Sequence, residues 1–144
     1  SYNEIKSQFD EQKEKLKETM YEIHLQRAEI SLNIGDSMLK SPLFMNPESF
    51  VKTYQNSLKG IVGCYEYAVE NNDTESKESF EFSIKTGLKT IINIQNKSKK
   101  KIDIKYHSFQ HNYKKIQEID NQEIYNLVNT IYNNFNIIDN DNNS

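Results

Sequence analysis

The sequence predicts an all-α domain of about five amphipathic helices with a long first helix. Apolar residues recur at three- and four-residue spacings along most of the chain, and no segment alternates with a period of two. Asn, Asp, Gly and Pro fall between the periodic stretches, where caps and turns need them. At 144 residues the chain has the length of one domain. Residues 1–139 are read as that domain and 140–144 as a disordered tail. Mean hydropathy is −0.84, yet Ile, Tyr, Phe, Leu and Val occur throughout, which fits a folded core under a very polar exterior.

In the first helix Ile5, Phe9, Leu16, Met20, Ile23, Ile30 and Ile34 hold one stripe at about 100° per residue. Gly35 is expected to end it, and residues 35–47 read as loop or short turns around Pro42 and Pro47. Asn46 then reads as a cap with Pro47 at the first helical position, opening a stripe of Phe50, Tyr54, Leu58, Ile61, Tyr65 and Ala68. A third helix starts after Asp73 or Thr74, carries Phe80, Ile84, Leu88 and Ile91, and fades into NKSKKK. Asp103 is the expected cap of a fourth helix bearing Tyr106, Phe109, Tyr113 and Ile116. Asp120 and Glu123 form a capping-box pattern, with Ile119 and Ile124 spaced as a hydrophobic staple. The fifth helix uses Ile124, Leu127, Val128, Ile131, Phe135 and Ile138; alternatively the last two segments are one long helix bent near Asp120.

Net charge is −3 with both signs interspersed, so nucleic acid is not an expected partner. The one basic run, over 97–101, reads as a solvated link between helices. A single cysteine, Cys64, forbids an internal disulfide and fits a reducing compartment. No apolar run reaches the length of a membrane span and no signal peptide is visible, so the expectation is a cytoplasmic protein without a membrane partner.

Few residues suggest chemistry. His107 and His111, four apart, fall more than about 120° from the apolar cluster of their helix, and nothing cysteine-rich or acidic adjoins them to complete a metal site. They read as solvated, and His24 as a boundary residue; a metal or haem bundle using all three is the third-ranked reading. Cys64 borders an apolar stripe with no base nearby in sequence and reads as packing. There is no phosphate-cradling Gly-rich loop, nucleophile elbow, zinc-finger spacing or convergent acid pair, so no catalysis is expected.

Arg27, the only arginine, sits within the first apolar stripe between Ile23 and Ile30. A guanidinium there must pair with a carboxylate of the chain, snorkel, or meet an anion entering the core. For the third case the candidate ligand site is an elongated apolar cavity with Arg27 at one end and Ile23, Ile30, Tyr54, Leu58, Phe109 and Tyr113 around it; a carboxylate of the chain is the other partner open to Arg27. Gly60 and Gly63 lie opposite the second helix's main stripe with Tyr67 near them, and helix glycines cost about 1 kcal/mol each against Ala. A close approach there is expected, from another helix or a partner subunit, and these three residues are the candidate homodimer face. Gly87, on the apolar face of the third helix, predicts a tight crossing.

The order of parts is also familiar: a long first helix, a Pro-containing loop, NPESF, then YEYAVENNDTESKESF, a Lys-rich joint and KIDIKYHSFQHNYKKI. Over most of residues 5–138 this resembles the non-haem globin-like sensor domains at the N-termini of bacterial stressosome proteins. It is similar too to free-standing sensor proteins of sporulating bacilli, which resemble the sensor part of a sporulation kinase. The acidic junction ENND and the Ile102–Asp103–Ile104 step carry the likeness; the Lys-rich joint and the Asn-rich tail depart from it. The resemblance implies a globin-like helical bundle without haem, commonly dimeric, with a fatty acid in a buried tunnel of some members. On this reading the chain is a non-catalytic sensory or regulatory module that binds a small apolar ligand and signals through a protein partner. The alternative is a helical interaction module of immunity, adaptor or chaperone type with no ligand.

Overall fold

The computed structural model describes residues 1–40 and 46–139; within the first helix the side chains of residues 24, 27–29, 31, 32, 34–36, 38 and 39 lie outside the described set. Among the described residues the architecture is all-α, with five helices and a minimal two-stranded sheet. Helix α2 (Pro47–Glu70) starts where its sequence says it should, the Asn46 side chain accepting from the Ser49 N–H with Pro47 at the first position. Its stripe is buried at Tyr54, Leu58, Ile61 and Ala68 and half-buried at Phe50 and Tyr65. Asn72 turns the chain with a left-handed φ of 53°, which asparagine tolerates. Asp73 then caps α3 (Thr74–Lys97) by accepting from the Ser76 N–H at 3.2 Å. Phe80, Ile84, Leu88 and Ile91 are buried as their spacing predicts.

Helix α4 (residues 106–117) is α-helical over Tyr106–Phe109, π-helical over Gln110–Lys114 and α-helical again over Lys115–Gln117. Helix α5 (Gln122–Asn134) follows as a separate element, so the chain breaks near Asp120 rather than running on. The cap is Asn121, whose side chain accepts from the Ile124 N–H at 3.1 Å, not Asp120. The capping-box reading of Asp120 with Glu123 was thus one residue out of step, although Ile119 and Ile124 are both buried. Central helix α3 packs between α2 and α5, and the core runs continuously through all three and α4.

Four further expectations are corrected. The first is the absence of sheet: β1 (Asp103–Lys105) pairs in parallel with β2 (Asn136–Ile138), matching Asp103 with Asn136 and Ile104 with Ile137. Ile102 and Ile104 point inward and Asp103 outward, a period-two alternation too short to register in sequence. Asp103 therefore caps no helix; its Oδ1 accepts from Asn136 Nδ2 at 2.8 Å. The last helix stops at Asn134, and Phe135 and Ile138 lie beyond it in extended chain.

Second, Tyr106 is exposed while Phe109, Tyr113 and Ile116 are buried. Tyr106 is the first residue of the helix, directly after β1, and Phe109, Tyr113 and Ile116 keep to the core across the π-helical turns. Third, the first helix, α1 (Tyr2–Leu39), continues through Gly35. One glycine costs only about 1 kcal/mol. The helix ends three residues before Pro42, a residue type that disfavours helical geometry in the residue preceding it.

The fourth concerns the α1 stripe, which is outside the core. Tyr2, Ile5, Phe9, Leu16, Ile23 and Ile30 are 77, 67, 64, 62, 43 and 58% exposed, and Met20 is exposed as well. Tyr21 and Leu25, on the opposite side, are the described α1 residues that pack on the core.

Candidate interaction surface

At about 1.5 Å per residue the 38 residues of α1 span about 57 Å, against about 36 Å for the 24 residues of α2 or α3. Every residue from 1 to 16 is exposed, so the N-terminal turns of α1 bury nothing against the described body. The seat of α1 is aromatic: the Tyr21 ring lies 5.4 Å from Phe80 and 6.4 Å, edge to face, from Tyr67. The Tyr21 hydroxyl is buried there without a hydrogen-bond partner. Burial first, then the negative charge of Asp73, raises its pKa above the usual phenol value, so it holds its proton. At 100° per residue, Leu16 and Ile23 sit roughly 140–160° around the helix from Tyr21. The apolar stripe thus turns away from the described body, with Leu16 and Met20 at its near edge.

Between α1 and α2 lies an open cleft of about 590 Å³. Leu16, Met20, Tyr21, Gly60, Gly63, Cys64 and Tyr67 line it, under a rim that includes Asp10, Lys13, Glu14, Lys17, Lys59 and Glu70. The glycines singled out in sequence therefore face this cleft together with Tyr67. A Cβ on Gly63 would meet nothing within 4 Å, so no side chain of the body crowds that position. At Gly87, by contrast, a Cβ would stand 2.8 Å from Leu58 Cδ2, which is the tight crossing of α2 and α3 that the sequence predicts.

The sequence-predicted ligand residues do not converge. Tyr54, Leu58, Phe109 and Tyr113 are packed in the core, Phe109 and Tyr113 with ring centroids 5.4 Å apart, and Tyr113 donates to Gln55 Oε1 at 2.8 Å. Ile23 and Ile30 lie on the exposed stripe instead, because the stripe of α1 is turned outward. The proposed roles of Arg27 and His24 concern side chains outside the described residues. None of the four core residues lines the α1–α2 cleft.

His107 and His111 are exposed, their ring centroids 4.4 Å apart and edge to face. Among the described residues no group of three or more His, Cys, Asp or Glu side chains is placed to hold a metal ion. Cys64 is buried, and desolvation pushes its thiol up to about 11, the reverse of an activated nucleophile. No described helix is long and apolar enough to cross a membrane.

Sequence reasoning missed two polar devices. Buried Gln95 pins the Lys-rich link: its Nε2 donates to the Lys100 carbonyl at 3.0 Å, and its Oε1 accepts from the Ile102 N–H at 2.7 Å. In α4, Asn112 Nδ2 donates to the Ser108 carbonyl at 3.0 Å and to Ser108 Oγ at 3.1 Å, while Gln55 Nε2 donates to the same hydroxyl at 3.0 Å. The Gln95 bonds and the Gln55–Ser108 bond have no signature in local spacing, since their partners are set by the path of the chain, whereas Asn112 and Ser108 stand four apart on one helix. Comparison of the chain with family models, curated proteins and solved structures gives no match.

Proposed function

We propose that the protein is a non-catalytic association module that docks through the outward face of α1. The observation behind this reading is the row of large apolar side chains on that face, which the chain's own body leaves bare. An apolar side chain recovers about 25 cal/mol for each Å² removed from water, so a row of them left in solvent marks a surface that another protein covers. The interaction-module reading of the sequence is thereby favoured over a buried ligand tunnel. The double substitution Phe9→Lys/Ile23→Lys tests it. In urea titrations at sub-micromolar protein, the variant should unfold within about 0.5 kcal/mol of the parent chain, as surface changes do. A loss above about 2 kcal/mol would assign the stripe to the fold itself and sink the proposal.

A second reading rests on the α1–α2 cleft, whose volume and apolar floor suit a small amphiphile such as a fatty acid, with Lys13, Lys17 and Lys59 at the rim for an anionic head. A ligand there would act as a sensory input by binding one disposition of α1 better than another. Native mass spectrometry of chain titrated with palmitate should show one-to-one binding that Gly63→Leu, filling the cleft, abolishes. Binding unchanged in that variant would remove the cleft as the site.

A further inference from the structure

The polar network between α2 and α4 ends in an acceptor that nothing pairs. Tyr113 donates to Gln55 Oε1, Gln55 Nε2 donates to Ser108 Oγ, and Asn112 Nδ2 donates to that hydroxyl and to the Ser108 carbonyl. A carbonyl can only accept, so it fixes which end of the Asn112 amide is nitrogen. Asn112 Oδ1 is therefore the end turned from Ser108, and it is buried with no hydrogen-bond partner among the described residues. The whole residue is only 8% exposed. A buried acceptor left unpaired is costly, and folds keep one where something else brings the donor.

Asn112 lines a pocket of about 280 Å³ between the two helices, with Lys59, Gly63 and Glu66 from α2 and His111 and Lys115 from α4. His111 and Asn112 belong to the π-helical stretch Gln110–Lys114, a rare geometry that recurs at functional sites. Gly63 leaves this wall as bare backbone, since a Cβ there would meet nothing within 4 Å. Two lysines face one carboxylate, Glu66, which Lys115 approaches to 3.5 Å, so the lining favours an anion. The His111 ring adds an N–H in either of its protonation states.

We infer that this pocket binds free phosphate in a form that still carries a proton. The lysines and the imidazole N–H call for an oxyanion, and Asn112 Oδ1 calls for a ligand that donates. Hydrogen phosphate does both, its hydroxyl turned to Oδ1 and its charged oxygens to Lys59, Lys115 and His111. Sulfate has no proton to give at neutral pH and leaves the acceptor unpaired. A phosphate monoester, with a second pKa of about 6, is mostly the proton-free dianion there as well. The assignment does not depend on what covers α1. Lys59 and Gly63 also border the α1–α2 cleft, whereas Asn112 and Lys115 do not, so the test turns on the latter two.

The full chain is titrated by ¹H–¹⁵N NMR at about pH 7 and fixed ionic strength with inorganic phosphate, sulfate and methyl phosphate in turn. Phosphate should shift the Asn112 side-chain amide and residues 110–115 saturably, with a Kd below about 5 mM. Sulfate and methyl phosphate should bind about tenfold more weakly, for want of the proton. Lys115→Gln, a change at an exposed ion pair, should weaken phosphate about tenfold and leave the thermal midpoint in place. Asn112→Ala should abolish the preference and bring the three anions level. Sulfate matching phosphate in the parent chain overturns the protonated ligand, even where Asn112→Ala fails to fold. Absence of saturation up to about 50 mM phosphate, or shifts confined to the Lys-rich link 97–101, overturns the site itself.

Discussion

Helices α1 and α2 share a period and differ in fate. Both repeat Ile, Leu and aromatic residues every three or four positions, and both read as amphipathic. In α2 the row Tyr54, Leu58 and Ile61 is sealed against α3, where Gly87 lets the two backbones come close. In α1 the row Phe9, Leu16 and Ile30 stands in water while Tyr21 and Leu25 seat the helix by its other side. Periodicity therefore reports that a helix has a face to cover, and it carries no record of what covers it.

The largest test of this contrast compares equal truncations in the two regions. Ile124→Ala or Leu88→Ala, in fully buried sites, should cost about 2–5 kcal/mol in urea unfolding. Ile30→Ala on the exposed stripe should cost no more than about 0.5 kcal/mol at concentrations too low for association. Similar losses at all three positions would erase the distinction between core and docking face.

The glycines sharpen it further, with opposite signs. Gly87→Ala drives a methyl to 2.8 Å from Leu58 Cδ2 and should destabilise by about 1–3 kcal/mol, because close-packed side chains must shift. Gly63→Ala meets open space in a helix whose glycines have ordinary φ, and should stabilise by about 1 kcal/mol. Thermal midpoints of the two variants, moving in opposite directions, are the readout.

The smallest expected effect is electrostatic and lies wholly in the body. Glu123 is held below the usual carboxylate range by Lys89 at 3.0 Å and Lys85 at 3.2 Å, which tie α5 to α3. Asp73 is lowered by its cap to Ser76. A carboxylate whose native pKa is depressed lends stability above its unfolded pKa and loses it as pH falls through the native one. Urea midpoints should therefore drop below about pH 4, and Glu123→Gln should flatten part of that drop. At the alkaline end the sign reverses: the Cys64 thiol, raised to about 11, contributes below the ordinary thiol pKa and loses that contribution as pH climbs toward 11. Cys64→Ala should remove this alkaline component and leave the acid one in place.

Local features of the chain were legible because their physics is local. Asn46 with Ser49 and Asp73 with Ser76 close hydrogen bonds over three residues, so spacing alone finds them. The stripes of α2 and α3, the exposed faces of His107 and His111, and the close pass at Gly87 follow from helix geometry in the same way. Asp120 was mistaken for the cap because its neighbour Asn121 offers the same acceptor one residue later.

What needed the tertiary structure was every partnership between distant segments. Residues 103–105 become strand only because residues 136–138 arrive beside them, an extended-chain choice that three residues cannot make alone. Gln55, Ser108 and Tyr113 join across more than fifty positions, and Gln95 reaches the Lys-rich link only where α3 has stopped. The orientation of α1 belongs to the same class. Its sequence determined a long helix with one apolar stripe, while the fold carried that helix past Gly35 to Leu39 and the seating of Tyr21 against Phe80 decided that the stripe faces outward. A helix's period is set by bonds four residues apart, but its rotation on a body is set by which side chains find room there.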